Sequence, residues 1–142
     1  MNTDVVQAMI TAAIEARRNA YAPYSHYRVG ASVLTEDGQI YSGCNVENAS
    51  YGATNCAERT AIFKAVSEGV RRIRALCVIG GNEKYADEVP DEATPCGICR
   101  QVIREFADPA DCPIIIAKSL TDYQITDLAT LLPESFGPEN LS

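Results

Sequence analysis

Two cysteine-bearing stretches, NCAERTA at 55–61 and TPCGIC at 94–99, each stand where a helix is predicted to begin. Helix N-termini carry partial positive charge and free N–H groups, which favour a thiolate over a thiol. If the two N-termini face each other, the sulfurs of Cys56, Cys96 and Cys99 can meet on one metal ion. The fold must therefore bring together two helix starts that lie far apart in the sequence.

The Cys96–Cys99 spacing is compatible with three kinds of site. A redox pair usually follows an early strand, and no such strand leads into this pair. A structural four-cysteine zinc site would need a second C-x-x-C, which the chain lacks. Three protein ligands with a fourth position left for water are typical of catalytic zinc. The other cysteines, Cys44, Cys77 and Cys112, could each supply a fourth ligand but fit better as small core residues on strands.

Glu58 favours the catalytic interpretation. It lies two residues after the proposed ligand Cys56, close to the metal but displaced around the helix from an obvious ligand position. Alone, Glu58 would be interpreted as an exposed residue stabilised by the helix dipole. Together with the downstream P-C-x-x-C it matches the pattern of zinc deaminases, in which a glutamate acts as general acid and base. The single histidine, His26, lies well upstream and is predicted to be a surface or structural residue.

The remaining sequence predicts alternating helices and strands. Helices are predicted over 4–18, 56–68, 95–106 and 127–132, and strands over 27–35, 39–46, 73–81, 113–118 and 122–126. A turn at 36–38 joins the first two strands as a hairpin. Asn55 or Thr54 is predicted to cap the second helix, and Thr94 with Pro95 to open the third. This order predicts a single α/β domain over 1–142, with helices on the faces of a mixed sheet.

Charge and composition exclude several classes of partner. The net charge is −7, and the densest charged stretch, NEKYADEVPDE at 82–92, is mainly acidic. A nucleic acid is therefore not expected as a partner, because its phosphates require a basic patch. Neither a leader peptide nor a long apolar run is visible, so we expect no membrane association and a cytoplasmic location. The six cysteines are accordingly expected to be free thiols.

Four stretches carry a resemblance to the small homotetrameric cytidine deaminases, and the resemblance extends over most of the chain. They are YAPYSHYRVGA at 21–31, GCNVENASYG at 43–52, NCAERTAIFKAVSEG at 55–69 and PCGICRQVI at 95–103. The resemblance implies a three-layer α/β/α fold with a five-stranded mixed sheet and one zinc ion per subunit. It also implies a small nucleoside substrate: cytidine and deoxycytidine are hydrolysed to uridine and deoxyuridine with release of ammonia, in pyrimidine salvage. A homotetramer is implied, with pockets that borrow residues from neighbouring subunits.

The resemblance further implies roles for individual residues. Cys56, Cys96 and Cys99 bind zinc, and Glu58 shuttles the proton while zinc-bound hydroxide attacks C4 of the pyrimidine. The implied substrate-binding residues are Asn45, Glu47, Tyr27, Ala57, Tyr51 and Phe136. Among these, Asn45 and Glu47 match positions that hydrogen-bond the ribose 3′-hydroxyl, and the backbone of Ala57 meets the pyrimidine oxygen. Tyr27 stands where the family commonly has phenylalanine.

Arg59 is predicted to adjust the charge of the metal site. Three thiolates on Zn²⁺ leave a formal charge of −1, which is a poor setting for generating hydroxide. A guanidinium beside the ligands could hydrogen-bond a sulfur and withdraw part of that charge. The alternative is that Arg59 is a solvated residue on the helix surface.

Several alternatives remain open at this stage. An aminonucleoside-antibiotic deaminase of the blasticidin S type would share the C-A-E and P-C-x-x-C motifs. A non-catalytic zinc-stabilised binding module would not need Glu58, and a nucleic-acid editor conflicts with the acidic charge. Asn45 and Glu47 could simply form a turn. Phe136 lies in a tail too short to form its own core, and we expect it to close the pocket of an adjacent subunit.

Overall fold

The structure, a computed structural model, describes residues 1–142 and contains four α-helices, two short 3₁₀ helices and five strands. The helices are α1 (Thr3–Arg17), α2 (Ala57–Ser67), α3 (Gly97–Phe106) and α4 (Leu128–Leu131). The strands are β1 (Tyr27–Thr35), β2 (Ile40–Cys44), β3 (Ile73–Asn82), β4 (Pro113–Ala117) and β5 (Tyr123–Asp127). Every predicted helix and strand is present, with small differences at the ends. None of the helices is long and apolar enough to span a lipid bilayer.

The five strands form one mixed sheet in the order β2-β1-β3-β4-β5. Strands β3 and β4 are parallel, and the other neighbouring pairs are antiparallel. The predicted hairpin joins β1 to β2, and Gly38 supplies the positive φ of its turn. Because β3 and β4 are parallel, the chain must cross over between them, and this crossover carries α3.

Helices cover both faces of the sheet, so the predicted three-layer α/β/α arrangement is confirmed. On one face α1 packs Val6, Met9, Ile10 and Ala13 against Leu34, Ala75, Cys77, Ile79 and Ile115 of the sheet. On the other face lie α2, α3 and α4, whose residues Ala61, Ile62, Ala65, Ile103 and Leu128 pack against Val33, Leu76, Val78, Ile114 and Ile116. The alternation of these sheet residues follows from the period of two in a strand.

Gly43 of β2 allows α2 to approach the sheet closely. A Cβ at this position would lie 2.7 Å from the backbone nitrogen of Ala61 and 2.8 Å from Cβ of Thr60. Real Cβ atoms do not tolerate these separations, so a larger residue would push α2 away. The close contact fixes the first turn of α2 beside the residues that follow β2.

The predicted helix caps are wrong for both α2 and α3. The N-cap residues are Cys56 and Cys96, which have extended backbone angles and make no side-chain capping hydrogen bond. Asn55 instead donates from Nδ2 to Oγ1 of Thr60 at 3.1 Å. The physical reason is that a ligand at the N-cap places its sulfur in front of the helix, where a capping oxygen would otherwise lie.

Candidate active site

The sulfurs of Cys56, Cys96 and Cys99 come together where the N-termini of α2 and α3 meet, all within 4.8 Å of one another. The Cys56 and Cys96 sulfurs are 3.8 Å apart. Two sulfurs bound to one tetrahedral zinc at about 2.3 Å would be about 3.8 Å apart, so the cluster has the dimensions of a zinc site. Soft thiolate ligands also favour zinc over magnesium or calcium. These residues therefore fit zinc.

The other three cysteines lie away from this cluster. Cys77 on β3 and Cys112 before β4 are buried, Cys44 on β2 is half-buried, and all six cysteines are free thiols. Burial raises the pKa of Cys77 and of Cys112 to about 12, which keeps both thiols protonated. The thiol cluster therefore consists of Cys56, Cys96 and Cys99, and the other three cysteines lie outside it.

The surroundings of Cys56 favour the thiolate form of its side chain. Its pKa is lowered to about 5, because the Cys99 thiol and then the Arg59 guanidinium donate hydrogen bonds to its sulfur. Cys99 is affected in the opposite direction, since its hydrogen bond to Cys56 and its burial raise its pKa. Zinc is bound by thiolates, so the cysteine ligands must give up their protons to the metal and zinc affinity depends on pH.

Arg59 lies beside the metal ligands. Its Nη2 donates to the Cys56 sulfur at 3.2 Å, and its Nε is buried without a hydrogen-bond partner. Burial lowers the Arg59 pKa, but hydrogen bonds to the sulfurs of Cys56 and Cys99 outweigh that effect and raise it. Arg59 is thus not a solvated surface residue, and it is the one guanidinium that contacts a sulfur of the cluster.

Glu58 is almost fully buried, with 4% of its surface exposed, in the first turn of α2. Burial raises the pKa of its carboxyl group to about 7, and the charge of Cys56 adds to the shift. A carboxyl group with this pKa can both give and take a proton near neutral pH. The alternative of an exposed glutamate that only stabilises the helix end is therefore wrong.

A cavity of about 330 Å³, which we call the thiol cavity, opens beside Cys56 and Cys96. Its lining comprises Tyr27, Val29, Asn45, Thr54, Asn55, Cys56, Ala57, Glu58, Val78, Glu92, Ala93, Thr94 and Cys96. The predicted residues Tyr27, Asn45, Ala57 and Glu58 are thus brought together with the metal ligands. The cavity has apolar sides, formed by valines of β1 and β3, and polar groups at the metal end, as small-molecule sites commonly have.

Asn45 is held rigidly at one side of this cavity. Its Oδ1 accepts from the Val29 N–H at 2.9 Å, and its Nδ2 donates to the Tyr27 carbonyl at 2.8 Å. The side chain thereby continues the pairing of β1 after β2 has ended. A primary amide has two donor hydrogens and two acceptor lone pairs, so one of each remains for a ligand.

Glu47 and Tyr51 are not part of the thiol cavity of their own chain. They line a neighbouring hollow, which we call the tyrosine hollow, together with Tyr24, Ser25 and Thr54. The Glu47 carboxylate accepts from the N–H groups of Tyr24 and Ser25 at 2.9 and 3.1 Å and from the Ser25 hydroxyl. These hydrogen bonds, that of the hydroxyl first, lower the Glu47 pKa. Thr54 lines both spaces, so the hollow adjoins the cavity.

Phe136 also lies outside the thiol cavity of its own chain, and 58% of its surface is exposed. His26 is on the surface, as predicted, with Nδ1 3.1 Å from an oxygen of Glu83. The exposed aromatic residues Tyr24, Tyr51 and Phe136 therefore form no part of the core of this chain. Tyr24 and Tyr51 contact each other edge to face, with ring centroids 6.0 Å apart.

Residues 82–94, the acidic segment, form part of the cavity wall, which the sequence did not reveal. Glu92, Ala93 and Thr94 line the cavity. The segment is held by the buried Arg17, whose guanidinium donates only to backbone carbonyls: those of Arg28, Gly81, Asn82, Tyr85 and Ala86. Val89 is also buried, and its N–H donates to the Lys118 carbonyl at 2.9 Å. The acidic segment therefore shields one side of the site.

Comparison with known protein families agrees with this geometry. The model of the cytidine and deoxycytidylate deaminase zinc-binding region matches residues 3–114. The chain belongs to this family. As a member of this deaminase family it is a zinc-dependent deaminase, and its thiol cluster is positioned to bind a metal ion.

Individual members of the deaminase family are similar along nearly the whole chain. A cytidine deaminase of Sporosarcina psychrophila is 47% identical over 137 residues, which is 96% of this chain and 95% of that protein. The crystal structure of cytidine deaminase from Burkholderia pseudomallei is 44% identical, with a TM-score of 0.80 over 91% of this chain and 97% of that one. The corresponding structure from Mycobacterium tuberculosis is 35% identical, with a TM-score of 0.76 over 92% and 95%.

Proposed function

We propose that this protein hydrolyses cytidine and deoxycytidine to uridine and deoxyuridine with release of ammonia. The observation that carries the proposal is that the buried Glu58 and the rigid Asn45 line one cavity together with two of the three clustered thiols. Its full-length similarity to cytidine deaminases supports the choice of substrate. The same similarity disfavours an antibiotic deaminase of the blasticidin S type.

Cys56, Cys96 and Cys99 would hold the zinc ion. When bound, zinc supplies a Lewis acid that lowers the pKa of a coordinated water molecule towards ~7. Arg59 donates to the Cys56 sulfur and offsets part of the negative charge of the thiolates. This hydrogen bond makes the three-thiolate site less electron-rich than it would otherwise be.

Glu58 would carry protons between water and substrate. A carboxyl group with a pKa of about 7 is partly protonated at neutral pH and can donate its proton to N3 of the pyrimidine. The resulting carboxylate can then take the proton of the hydroxyl group that has added to C4 and pass it to the amino group, which leaves as ammonia. Burial serves this role directly, because it removes the solvent that would otherwise keep Glu58 ionised.

The remaining predicted residues would bind the base and the sugar. The N–H of Ala57, in the first turn of α2, is a suitable donor to the pyrimidine oxygen, and Tyr27 provides an aromatic wall. The free donor and acceptor of Asn45 suit the ribose 3′-hydroxyl. Glu47 and Tyr51 would act from the adjoining tyrosine hollow.

We further propose a homotetramer in which Phe136 enters the cavity of a neighbouring subunit. Phe136, Tyr24 and Tyr51 are exposed aromatic residues, and contact with another subunit would bury them. Phe136 lies away from the cavity of its own chain, as a residue lent to a neighbour would. Pyrimidine salvage in the cytoplasm is the proposed setting, and six free thiols suit a reducing compartment.

A spectrophotometric assay with cytidine, on protein of known zinc content, tests the proposal. We expect turnover of cytidine and deoxycytidine that scales with zinc content, and very poor turnover of free cytosine, because binding of the sugar positions the base. Blasticidin S should not be converted at a comparable rate. Zinc-loaded protein that leaves cytidine unchanged would overturn the proposed function.

A further inference from the structure

The C-terminal tail, residues 134–142, combines an anchored backbone with an exposed aromatic side chain. Gln101 on α3 donates from Nε2 to the Phe136 carbonyl at 2.9 Å. The N–H of Gly137 donates to Oδ1 of Asn140 at 2.9 Å and closes the short 3₁₀ turn Pro138–Asn140. The phenyl ring between these anchors remains 58% exposed. An aromatic side chain without a function would not require its backbone to be held in place, so the ordered tail suggests a role for Phe136.

Arg104 is the centre of the anchor. It lies on α3 with only 6% of its surface exposed. Its Nε donates to Oγ of Ser135 at 2.8 Å, and its Nη2 forms an ion pair with Glu139. The two partners lie on either side of Phe136 in the sequence. One guanidinium therefore holds the tail on both sides of the aromatic residue.

Gly137 is part of the same anchor. A Cβ at this position would overlap the guanidinium of Arg104, so a larger residue would have to displace that side chain from the tail. The hydrogen bond from Arg104 also lowers the pKa of Glu139, which keeps that carboxylate charged. Burial of Arg104 without a charged partner would be costly, and Glu139 provides the compensating charge.

We propose that Arg104 is a positioning residue that presents Phe136 to the substrate cavity of a neighbouring copy of this chain. The inference rests on the proposed function, because it assumes that Phe136 helps to hold the nucleoside there. Arg104 itself touches no substrate. Its contribution is to fix the direction in which the phenyl ring leaves the surface, so that the ring enters the adjacent cavity already ordered.

The kinetic test uses variants on both sides of the anchor. Arg104→Gln removes the guanidinium, and Glu139→Gln removes only the charge of its partner on the exposed tail. Because Glu139 is exposed, the second variant should fold normally and keeps the test valid if Arg104→Gln folds poorly. Glu105→Gln, on the next and exposed residue of α3, is the matched control. We expect KM for cytidine to rise about tenfold in the two anchor variants, as for a misplaced binding group, with kcat and zinc content nearly unchanged.

A double-variant comparison distinguishes positioning from general stability. In a Phe136→Ala background, Arg104→Gln should raise KM no further, because no ring remains to be positioned. An equal rise in both backgrounds would overturn the proposal, and so would an unchanged KM in Arg104→Gln and Glu139→Gln. The control Glu105→Gln should match the wild type throughout.

A fluorescence measurement tests the anchor independently of catalysis. The chain contains no tryptophan, so Phe136→Trp provides a single reporter. Adding Arg104→Gln should lower its fluorescence anisotropy and increase its quenching by acrylamide. Unchanged anisotropy would show that Arg104 does not order the tail. If the anisotropy falls but the wild-type protein does not convert cytidine, Arg104 orders the tail as proposed and only the proposed function is wrong.

Discussion

The metal end of the thiol cavity and its rim are built in different ways. The metal end consists of two short stretches at helix N-termini, and residues adjacent in the sequence are adjacent in the site. The rim combines Tyr27 and Asn45 with the distant acidic segment, whose position depends on Arg17. Two local motifs therefore supply the chemical groups, although the fold must still bring the two helix starts together. The shape of the space around those groups depends on long-range contacts alone. Substitutions at the metal end should therefore affect zinc content and kcat, whereas substitutions at the rim should affect KM.

The largest effect is expected from removing a metal ligand. Cys99→Ala should lose most of its zinc and nearly all its activity, because two thiolates hold zinc far less tightly than three. Zinc per chain, measured by metal analysis, tests this expectation. The matched control is Cys112→Ala, which removes a buried thiol outside the cluster and should retain one zinc per chain. Full zinc content in Cys99→Ala would refute the ligand assignment.

Glu58→Gln should retain fold and zinc but lose at least ~10²-fold in kcat, the lower limit for removing a general acid and base. Steady-state kinetics on protein of known zinc content would measure the loss. Glu68→Gln, at the exposed C-terminal end of the same helix, is the control and should be nearly normal. Near-normal turnover of Glu58→Gln would exclude the proton-shuttle role.

At the rim, Asn45→Ala should raise KM for cytidine by about 10- to 100-fold, because a ligand hydroxyl and two β1 backbone groups lose their partner. Asn45→Asp keeps the acceptor for the Val29 N–H but sets a carboxylate oxygen against the Tyr27 carbonyl, so it should not restore normal KM. Comparing cytidine with free cytosine sharpens the test. If Asn45 binds the sugar, the slow reaction of cytosine should be unaffected.

Arg17→Lys should lower the free energy of unfolding by ~1–3 kcal/mol, because lysine cannot satisfy the carbonyls that the guanidinium fork reaches. It should also raise KM modestly by loosening the acidic segment. Urea unfolding and steady-state kinetics provide the two measurements. Arg18→Lys alters only an exposed ion pair with Asp87, which solvent screens, so its effect on the free energy of unfolding should be much smaller. Equal losses in the two variants would contradict the role of Arg17.

The smallest effect concerns pH. Protons compete with zinc for thiolates, so zinc occupancy should fall as the pH falls. Arg59→Ala removes a donor that lowers the Cys56 pKa, so zinc release should begin at a higher pH, by about one unit for one charged hydrogen bond. A titration with a zinc indicator measures the shift. Zinc release from Arg59→Lys should occur at a pH between those of the wild type and Arg59→Ala. Identical release curves for the wild type and Arg59→Ala would show that Arg59 does not influence metal binding.

The same division explains what could be predicted from the sequence. The ligand set and Glu58 were predicted from two local motifs, and the sheet from apolar periodicity. The caps were wrong because Cys56 and Cys96 themselves occupy the N-cap positions. Arg17 and Arg18 are indistinguishable as basic residues at a helix end, yet only Arg17 is buried. Its partners are backbone carbonyls of a segment far along the chain, and such partners leave no pattern in the sequence.

Helix α3 has a consequence for an assembled oligomer. Its N-terminus carries Cys96 and Cys99, and its second half anchors the tail with Phe136. Under the proposed assembly, one defective helix would impair two catalytic centres: that of its own subunit and the one that its aromatic residue completes. Oligomers mixed from sound and α3-damaged chains should therefore lose activity faster than in proportion to the damaged fraction. A substitution in this helix would act as a partially dominant defect.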